Sequence, residues 1–494
     1  MGRAAFDSIV LGGSLTTGGI VMTIKRGSGL VIAGWLAGLL LSTGESHVAA
    51  AAEPLRVGSA AIEIPADDTM DMAGGIHPWK ASGAEAPLRA TTIVLALGDE
   101  KLAICSCDVL FVQKDFVDPA LEAIRAATGI PPERVLVHAT HTHSAPSATR
   151  VHGYQRDPRF VEGLAKSIAD SVIAADAALP AHPDCRLRYR LGEESSVGQN
   201  SRILLGDGTI FWIGNRDDAV RPTGPFDPDL PVMAFETADG KPVATLFNHS
   251  THCIGAREGG KRSPAFYGLA AQELEAEQGG HHVFLQGASG STHNLTVPPA
   301  EMVIRIKEAV NRARIAATPR PVTRLAAIKE PFEFRVRVFD ESAEEEAVKG
   351  YCSKRVGSAE SAEAIALVFR TQRAEIAPHQ GETRTTSIQT LAIGDVAIVA
   401  VPAEFFTVLG QEIKRQSPFR HTFISELSND WVGYIPDSRG HELGGYQTWT
   451  GHHSYGEPGT GERMMATAVS QLERLHAELR GQVRDQESPG GPGR

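Results

Sequence analysis

The stretch from Val135 to Ser144 reads VLVHATHTHS. It begins as an apolar run typical of a buried β-strand and ends in closely spaced imidazoles. On an extended backbone, side chains two residues apart point the same way, so we expect His141 and His143 to project together from the end of the strand. Two imidazoles in this arrangement can bind a metal ion, or one can bind while the other transfers protons. Taken alone, the pattern also fits two solvated histidines in a turn.

On both sides of this stretch, apolar runs typical of strands alternate with patterns typical of helices. Strands are predicted at 57–64, 91–97, 101–111, 242–247 and 282–285, and helices at 119–128, 159–178, 302–317 and 462–479. The charged, Ala- and Glu-rich segment 341–377 is predicted to form solvated helices with no chemical role. The fold class indicated is α/β, with mixed β-sheets flanked by helices.

Composition and charge exclude several classes of function. The 494 residues are 42% hydrophobic and 22% charged, which is typical of a globular protein with one large domain or two ordinary ones. The formal net charge is −11 and no basic stripe is present, so a nucleic acid is not expected as a partner. No phosphate-binding glycine loop or dinucleotide fingerprint stands out.

The cysteines are too few and too scattered to form a disulfide framework. They are predicted to be buried free thiols, with a single disulfide as the alternative in an oxidising compartment. The five positions are Cys105, Cys107, Cys185, Cys253 and Cys352.

Residues 1–52 are predicted to be a signal peptide. Lys25 and Arg26 precede the apolar run 30–41, and small residues suited to cleavage follow it. The run is too short to span a bilayer comfortably, which disfavours the alternative of an uncleaved anchor. Met22 is an alternative start, because the residues before it add nothing that a signal needs. The protein is therefore predicted to be exported, either to the periplasm or to the medium.

Three further stretches place metal-binding residue types at the ends of predicted strands. They are 247–252 (FNHSTH), 401–406 (VPAEFF) and 430–436 (DWVGYIP). Each has an ordinary explanation when taken singly; Glu404, for example, could cap the helix that follows it. Together with the histidine pair, they favour a metal site.

An ordered series of motifs resembles the neutral/alkaline (non-lysosomal) ceramidases and their bacterial relatives. In chain order the motifs are ATHTHS (139–144), NSR (200–202), GPFDP (224–228), FNHST (247–251), QGASG (286–290), PAEF (402–405), GYIP (433–436) and GGY (444–446). The resemblance implies a ceramidase-type catalytic domain at 53–481, without the C-terminal β-sandwich domain of the well-known ceramidases. The Pro- and Gly-rich tail at 482–494 is predicted to be disordered.

The resemblance also implies a zinc site. Ceramidases of this family hold a catalytic zinc ion with two histidines, a glutamate and a tyrosine. The matching positions here are His141, His249, Glu404 and Tyr434. Imidazoles and carboxylates are standard zinc ligands, whereas a phenolate is rarer. His252 is the second choice for a histidine ligand.

Family members place a histidine, an arginine and a second tyrosine around the reacting carbonyl. His143, Arg202 and Tyr446 match these positions, and their chemistry suits proton transfer and stabilisation of an oxyanion. As alternatives, Arg202 could pair with a surface carboxylate and Tyr446 could pack beside the glycines that precede it.

The sequence departs from the family at the nucleophile. Family ceramidases attack with a serine, but the loop 290–294 reads GSTHN, so His293 falls about where that serine would be. Ser289, Ser291 or Thr292 could substitute if the loop shifts in register. Otherwise water activated by zinc would attack directly, which is the ordinary route of zinc hydrolases.

The resemblance therefore implies an exported zinc-dependent amidohydrolase. Its default substrate is ceramide or a related N-acyl lipid, and peripheral contact with a membrane is left open. One alternative is a zinc hydrolase of a different amide or ester, and another is a metal-binding relative that has lost catalysis. The sequence carries no signal for the oligomeric state.

Overall fold

A computed structural model describes residues 53–487. The predicted signal peptide, 1–52, and residues 488–494 of the predicted tail lie outside the described residues. The last helix extends to Glu487, so the segment from Gln482 to that residue is helical where a disordered tail was predicted. Within residues 53–487, no helix has both the length and the apolar composition needed to cross a bilayer.

Strands and helices alternate along the described chain, as the apolar periodicity predicts. The strands are β1 (Leu55–Glu63), β2 (Asp71–Met72), β3 (Trp79–Lys80), β4 (Arg89–Leu97), β5 (Glu100–Cys107), β6 (Val135–Ala139), β7 (Cys185–Glu193), β8 (Gly198–Asn200), β9 (Ile203–Leu205), β10 (Ala219–Pro222), β11 (Asp229–Thr237), β12 (Pro242–His249), β13 (His281–Gln286), β14 (Thr292–Asn294), β15 (Thr318–Arg320), β16 (Leu325–Arg335), β17 (Thr383–Ile393), β18 (Val396–Ala400), β19 (Glu404–Phe405), β20 (His421–Ser425) and β21 (Tyr434–Ile435). The α-helices are α1 (Lys114–Thr128), α2 (Pro158–Ala178), α3 (Ala265–Gln278), α4 (Pro299–Ile315), α5 (Glu341–Arg355), α6 (Ala359–Ile376), α7 (Thr407–Gln416), α8 (Ser438–Leu443) and α9 (Thr460–Glu487).

Two mixed sheets form the centre of the fold. The larger sheet has the strand order β13-β12-β11-β7-β1-β4-β5-β6, with β15 paired to β7. Its end pairs, β12–β13 and β5–β6, are parallel, and the pairs between them are antiparallel. The smaller sheet has the order β16-β17-β18-β20. The predicted α/β class, with mixed sheets flanked by helices, is confirmed.

The sheets pack face to face, and helices cover both outer faces. Side chains alternate along β4: Ile93 and Leu95 pack against Leu391 and Ile398 of the smaller sheet, whereas Val94 packs against α1 and α2. Helices α3 and α4 cover the other half of the larger sheet, and α7 and α9 cover the outer face of the smaller sheet. Because both faces of these strands are buried, they read as continuous apolar runs in the sequence.

The larger sheet curls until strands near its two ends meet. The backbone N–H of Gln286, at the end of β13, donates to Nε2 of His138 on β6 across 2.8 Å. The hydroxyl of Ser106 on β5 donates to the carbonyl of Phe284 on β13 across 2.7 Å. This curvature brings the loops that follow β6 and β12 together.

The five cysteines are buried free thiols, which confirms the sequence prediction. Cys105 and Cys107 lie on one face of β5, with their sulfur atoms 3.8 Å apart. Strand alternation explains this placement, because residues two apart share a face.

Candidate metal centre

Three imidazoles converge where the loops after β6 and β12 meet. His141 and His143 follow β6, His252 follows β12, and one ring nitrogen from each lies within 4.8 Å of the others. The Nε2 atoms of His141 and His143 are 3.2 Å apart, and the rings of His141 and His252 meet edge to face at 4.6 Å. A buried group of this kind could bind a metal ion.

Backbone carbonyls set which nitrogen of each ring is free. The Nδ1 atoms of His141, His143 and His252 face the carbonyls of Leu110, Gly74 and Ser289, at 3.2, 2.8 and 3.0 Å respectively. A carbonyl can only accept, so each Nδ1 carries the hydrogen and each Nε2 keeps its lone pair. Three lone pairs this close together repel each other, and a cation held between them would remove that repulsion. The donor set therefore fits a metal ion, and the carbonyls orient the ligand rings.

Burial keeps the rings of His141 and His143 neutral. Loss of solvent, helped by the neighbouring imidazoles, holds the pKa of His141 well below its usual range. The same causes lower the pKa of His143 to about 3. Neutral imidazole is the form that binds metal ions.

Glu404 and Tyr434 complete the cluster from the other half of the molecule. They are direct partners in the short parallel pair β19–β21, which places them side by side. Oε1 of Glu404 lies 3.5 Å from Nε2 of His141 and 3.6 Å from Nε2 of His252, whose Nε2 is 3.0 Å from the Tyr434 hydroxyl. Ligands of a tetrahedral zinc ion lie about 3.3 Å apart, so these spacings fit. Burial and the Glu404 carboxylate hold the pKa of Tyr434 well above its usual range.

The structure does not bring His249 to this cluster. Its Nδ1 is hydrogen-bonded to the hydroxyl of Tyr267 at 2.5 Å, and its Nε2 faces the carbonyl of Glu194 at 2.8 Å. Both ring nitrogens are therefore used in the buried interior. His252, the second choice from the sequence, occupies the place expected for His249, because the loop after β12 turns back towards β6.

The cluster lies at one side of a cavity of about 310 Å³. His143, His252, Tyr434 and Tyr446 contribute to its wall, together with Gly74, Gly75, Ile76, His152, Ser201, Phe211, Trp212, Ile213, Ile254, Thr292, His293 and Gln447. A groove of about 620 Å³ adjoins the cavity and shares Ser201, Phe211, Trp212, Ile254 and His293 with it. The groove is largely apolar beyond that point, with Leu295, Val297, Pro298, Pro299 and Met302 in its wall. An apolar chain could thus lie beside the cluster.

His293 stands at the junction of cavity and groove. Its ring stacks on that of His252, with centroids 5.5 Å apart and planes 15° from parallel. Its Nδ1 faces the carbonyl of Asn294 at 3.2 Å, which leaves Nε2 as the acceptor nitrogen. Burial, assisted by His252, lowers the pKa of His293 to about 4, so the ring is unprotonated at neutral pH.

The hydroxyl groups of the same loop point elsewhere. Ser289 and Ser291 are buried and line neither the cavity nor the groove. Thr292 reaches the cavity wall, but its hydroxyl donates to the carbonyl of Ser250 across 2.9 Å. The loop therefore presents the imidazole of His293 to the cavity and not a free hydroxyl group.

Tyr446 lies in the cavity wall, and Arg202 does not. Ser201 lines the cavity, whereas the side chain of the neighbouring Arg202 is buried and lines a separate pocket with Phe406 and Gly440. Burial lowers the pKa of this guanidinium to about 10. Its N–H groups donate to the Gln447 side chain at 2.8 Å and to the carbonyls of Gly440 and Gly444 at 3.0 and 2.7 Å. Arg202 thus holds the loop that carries Tyr446, at a distance from the position expected beside the reacting carbonyl.

Four residues around the cluster were not singled out from the sequence. Glu426 directly follows the apolar strand β20, where a lone carboxylate was a usable signal, whereas Trp431 lies in the loop before β21. No sequence signal identified His152, which lies in a loop, or Gln372, which lies in a helix predicted to be solvated.

Comparisons with known proteins agree with this picture at the level of the fold. No protein-family model matches the chain, and no curated protein matches its sequence. The crystal structure of neutral ceramidase from Pseudomonas aeruginosa superimposes with a TM-score of 0.68 and 18% identity, over 86% of this chain and 75% of that one. A structure described as ceramidase complexed with C2 gives 0.67 and 18%, over 86% and 76%. The fold resembles that of neutral ceramidases.

Proposed function

We propose that the protein is a zinc-dependent hydrolase of amide bonds in ceramide-like N-acyl lipids. One observation carries the proposal: three imidazoles whose Nε2 atoms carry no hydrogen converge with Glu404 beside a cavity that continues into an apolar groove. The likeness of the fold to solved ceramidases supports the class of substrate.

His141, His252 and Glu404 would hold the ion within the cluster. His143 and Tyr434 stand on its cavity side, where they can complete the shell or face the substrate. Bound zinc polarises a carbonyl group and makes water a stronger nucleophile. The metal site would thus lie beside the cavity, where an amide carbonyl could reach the ion.

The side chains of the cavity wall supply the remaining chemistry. Water attacks the amide carbon, since the hydroxyls of the 289–292 loop are engaged elsewhere, and Nε2 of His293 accepts the proton that water releases. The Tyr446 hydroxyl donates to the carbonyl oxygen as negative charge develops there. When the C–N bond breaks, His293 returns the proton to the departing amine, and the products are a carboxylic acid and an amine.

The apolar groove is the place for an acyl chain. Removing a methylene group from water contributes about 0.8 kcal/mol, so a chain lying along Leu295, Val297 and Met302 would add substantial binding free energy. Cavity and groove share a wall, and an amide placed at the cluster would therefore leave its acyl chain in the groove.

Turnover and metal content, measured together, test the proposal. The wild type, His252→Ala and a surface control, His379→Ala, are purified, analysed for zinc, and assayed with a fluorogenic N-acyl sphingosine analogue. We expect His252→Ala to lose both zinc and turnover and His379→Ala to keep both, because His379 is exposed. A zinc-loaded wild type without turnover of any N-acyl substrate would instead indicate a metal-binding protein or a hydrolase of another substrate. Full activity in His252→Ala would refute the proposed centre.

A further inference from the structure

The Tyr446 ring is held on both faces, so only its hydroxyl hydrogen is free to turn. The ring stacks on Trp212, with centroids 4.5 Å apart and planes 1° from parallel, and on His453 at 4.9 Å. Its oxygen lies 2.9 Å from Nε2 of His152. A tyrosine can act as a hydrogen-bond donor to substrate only if its hydrogen points to the substrate. What decides that direction is the group on the other side of the oxygen.

Gln372 of α6 has a fixed amide orientation. Its side chain is buried, and its Oε1 accepts from the backbone N–H of His452 across 2.8 Å. A backbone N–H can only donate, so the amide oxygen must occupy that position and the NH₂ group must occupy the other. The NH₂ nitrogen lies 3.4 Å from Nδ1 of His152.

This orientation sets the tautomer of His152. An amide NH₂ can only donate, so Nδ1 of the ring is the acceptor and carries no hydrogen. Burial, helped by His453 and other neighbouring imidazoles, holds the pKa of His152 well below its usual range, so the ring is neutral and has one hydrogen. That hydrogen must be on Nε2. The ring is kept in place by a left-handed backbone at φ +53 and by edge contact with Phe369 of α6.

We propose that Gln372 and His152 are positioning residues that direct the Tyr446 hydroxyl hydrogen into the cavity. His152 Nε2–H donates to the Tyr446 oxygen and occupies one of its lone pairs, so the Tyr446 hydroxyl cannot donate its own hydrogen to His152. The hydrogen is left to point into the cavity, where the carbonyl oxygen of a substrate would lie. The catalytic part of this inference rests on the proposed function, whereas the tautomer does not.

The tautomer can be measured without any turnover. In the ¹⁵N NMR spectrum of the full chain at neutral pH, the signals lost in His152→Gln identify the His152 ring. We expect a neutral ring with its hydrogen on Nε2. A ring with its hydrogen on Nδ1 would overturn the inference, whatever the protein proves to hydrolyse.

Gln372→Glu reverses the pattern at nearly constant shape. A carboxylate still accepts from the His452 N–H but also accepts from Nδ1 of His152, which moves the ring hydrogen to Nδ1 and turns Nε2 into an acceptor. The Tyr446 hydroxyl then donates to His152 and no longer donates a hydrogen bond to the substrate. Loss of one oxyanion donor typically costs about 10²–10³-fold, and we expect kcat to fall by about that factor with KM and zinc content unchanged. Thr371→Val, at an exposed position of the same helix, is the control.

A double variant separates this role from a merely structural one. On a Tyr446→Phe background the direction of the hydroxyl no longer matters, so adding Gln372→Glu should lower kcat no further. Additive losses, or an NMR-verified change of tautomer with unchanged kcat in the single variant, would overturn the inference. Failure of the proposed function looks different: the wild type would not turn over N-acyl substrates, while the His152 tautomer would remain as inferred.

Discussion

The indole Nε1–H of Trp431 donates to Oε2 of Glu404 across 3.1 Å, whereas the other carboxylate oxygen, Oε1, faces the rings of His141 and His252. The indole also stacks on Phe111, with ring centroids 4.0 Å apart, and Phe111 in turn contacts the ring of His141 at 5.3 Å. One aromatic side chain thus orients the carboxylate and supports a ring of the same cluster. Hydrogen bonds that orient metal ligands commonly contribute a factor of about 10–100 to metal affinity.

Trp431→Phe is therefore expected to weaken zinc binding by about 10–100-fold. Phenylalanine keeps the stack on Phe111 but cannot donate to Glu404. Competition with a zinc chelator gives the affinity, and circular dichroism checks that the fold is intact. Trp449→Phe is a matched control, because Trp449 lies in a separate aromatic cluster. Equal zinc affinity in wild type and Trp431→Phe would show that the indole does not orient the carboxylate.

His249 and His252 are expected to respond oppositely to substitution. His252→Ala removes a ring nitrogen that faces the cluster, so bound zinc should be lost. His249→Ala removes buried hydrogen bonds to Tyr267 and to the carbonyl of Glu194, which should lower the free energy of unfolding by about 1–3 kcal/mol and leave the zinc stoichiometry unchanged. Metal analysis and urea unfolding give both quantities. Zinc loss in His249→Ala at full folding would reinstate His249 as a ligand.

The layers of the fold follow from local pattern. A continuous apolar run predicts β4, and Gly129, with φ +76, ends α1 after Thr128, where the sequence pattern places the end of a helix. The helix predicted at 302–317 begins three residues earlier, at Pro299. Proline suits the first turn of a helix, and the apolar pattern alone does not include this signal. The curl of the larger sheet is a property of the whole sheet, and no local pattern predicts it.

The sequence predicts part of the site, but His141 and His143 lie together for a geometric reason other than the one predicted. His141 and His143 do lie together, yet β6 ends at Ala139 and His141 has a left-handed backbone with φ +64, so strand alternation does not apply. Glu404 and Tyr434 meet because β19 pairs with β21, a long-range contact. The choice between His249 and His252 depended on the turn after β12. Gln372 was missed because most of its helix is solvated and only one face is buried.

His293 and Ser291 distinguish a base from a hydroxyl nucleophile. If His293 accepts the proton from water, His293→Ala should lower kcat by about 10²–10⁴-fold, the usual contribution of a general base. Ser291→Ala should leave kcat unchanged, because the Ser291 hydroxyl is hydrogen-bonded to Thr407 away from the cavity. Steady-state kinetics with zinc content fixed give both values. The reverse result, with kcat lost in Ser291→Ala and kept in His293→Ala, would indicate attack by the serine.

Asp108 links stability to pH at the end of β5. Burial raises the pKa of this carboxyl from 3.8 to about 7. The positive charge of Arg89, and a hydrogen bond that the Arg89 backbone N–H donates to Oδ2 across 3.0 Å, oppose this rise. Between about pH 4 and about pH 7 the folded protein therefore keeps a proton that the unfolded chain has lost. The folded state binds more protons in this window, so this group's contribution to stability is present at low pH and is lost as pH rises through about 7.

Asp108→Asn removes that titration while keeping an oxygen that can accept from the Arg89 N–H. The free energy of unfolding of the variant, measured with urea, should therefore fall less steeply than that of the wild type between about pH 4 and about pH 7. The difference between the two proteins isolates Asp108, since the histidines and the other carboxylates are common to both. Asp118→Asn is the control, because its carboxylate is exposed on α1. Parallel pH profiles for wild type and Asp108→Asn would mean that Asp108 is ionised in the folded protein throughout this range, with Arg89 compensating fully for its burial.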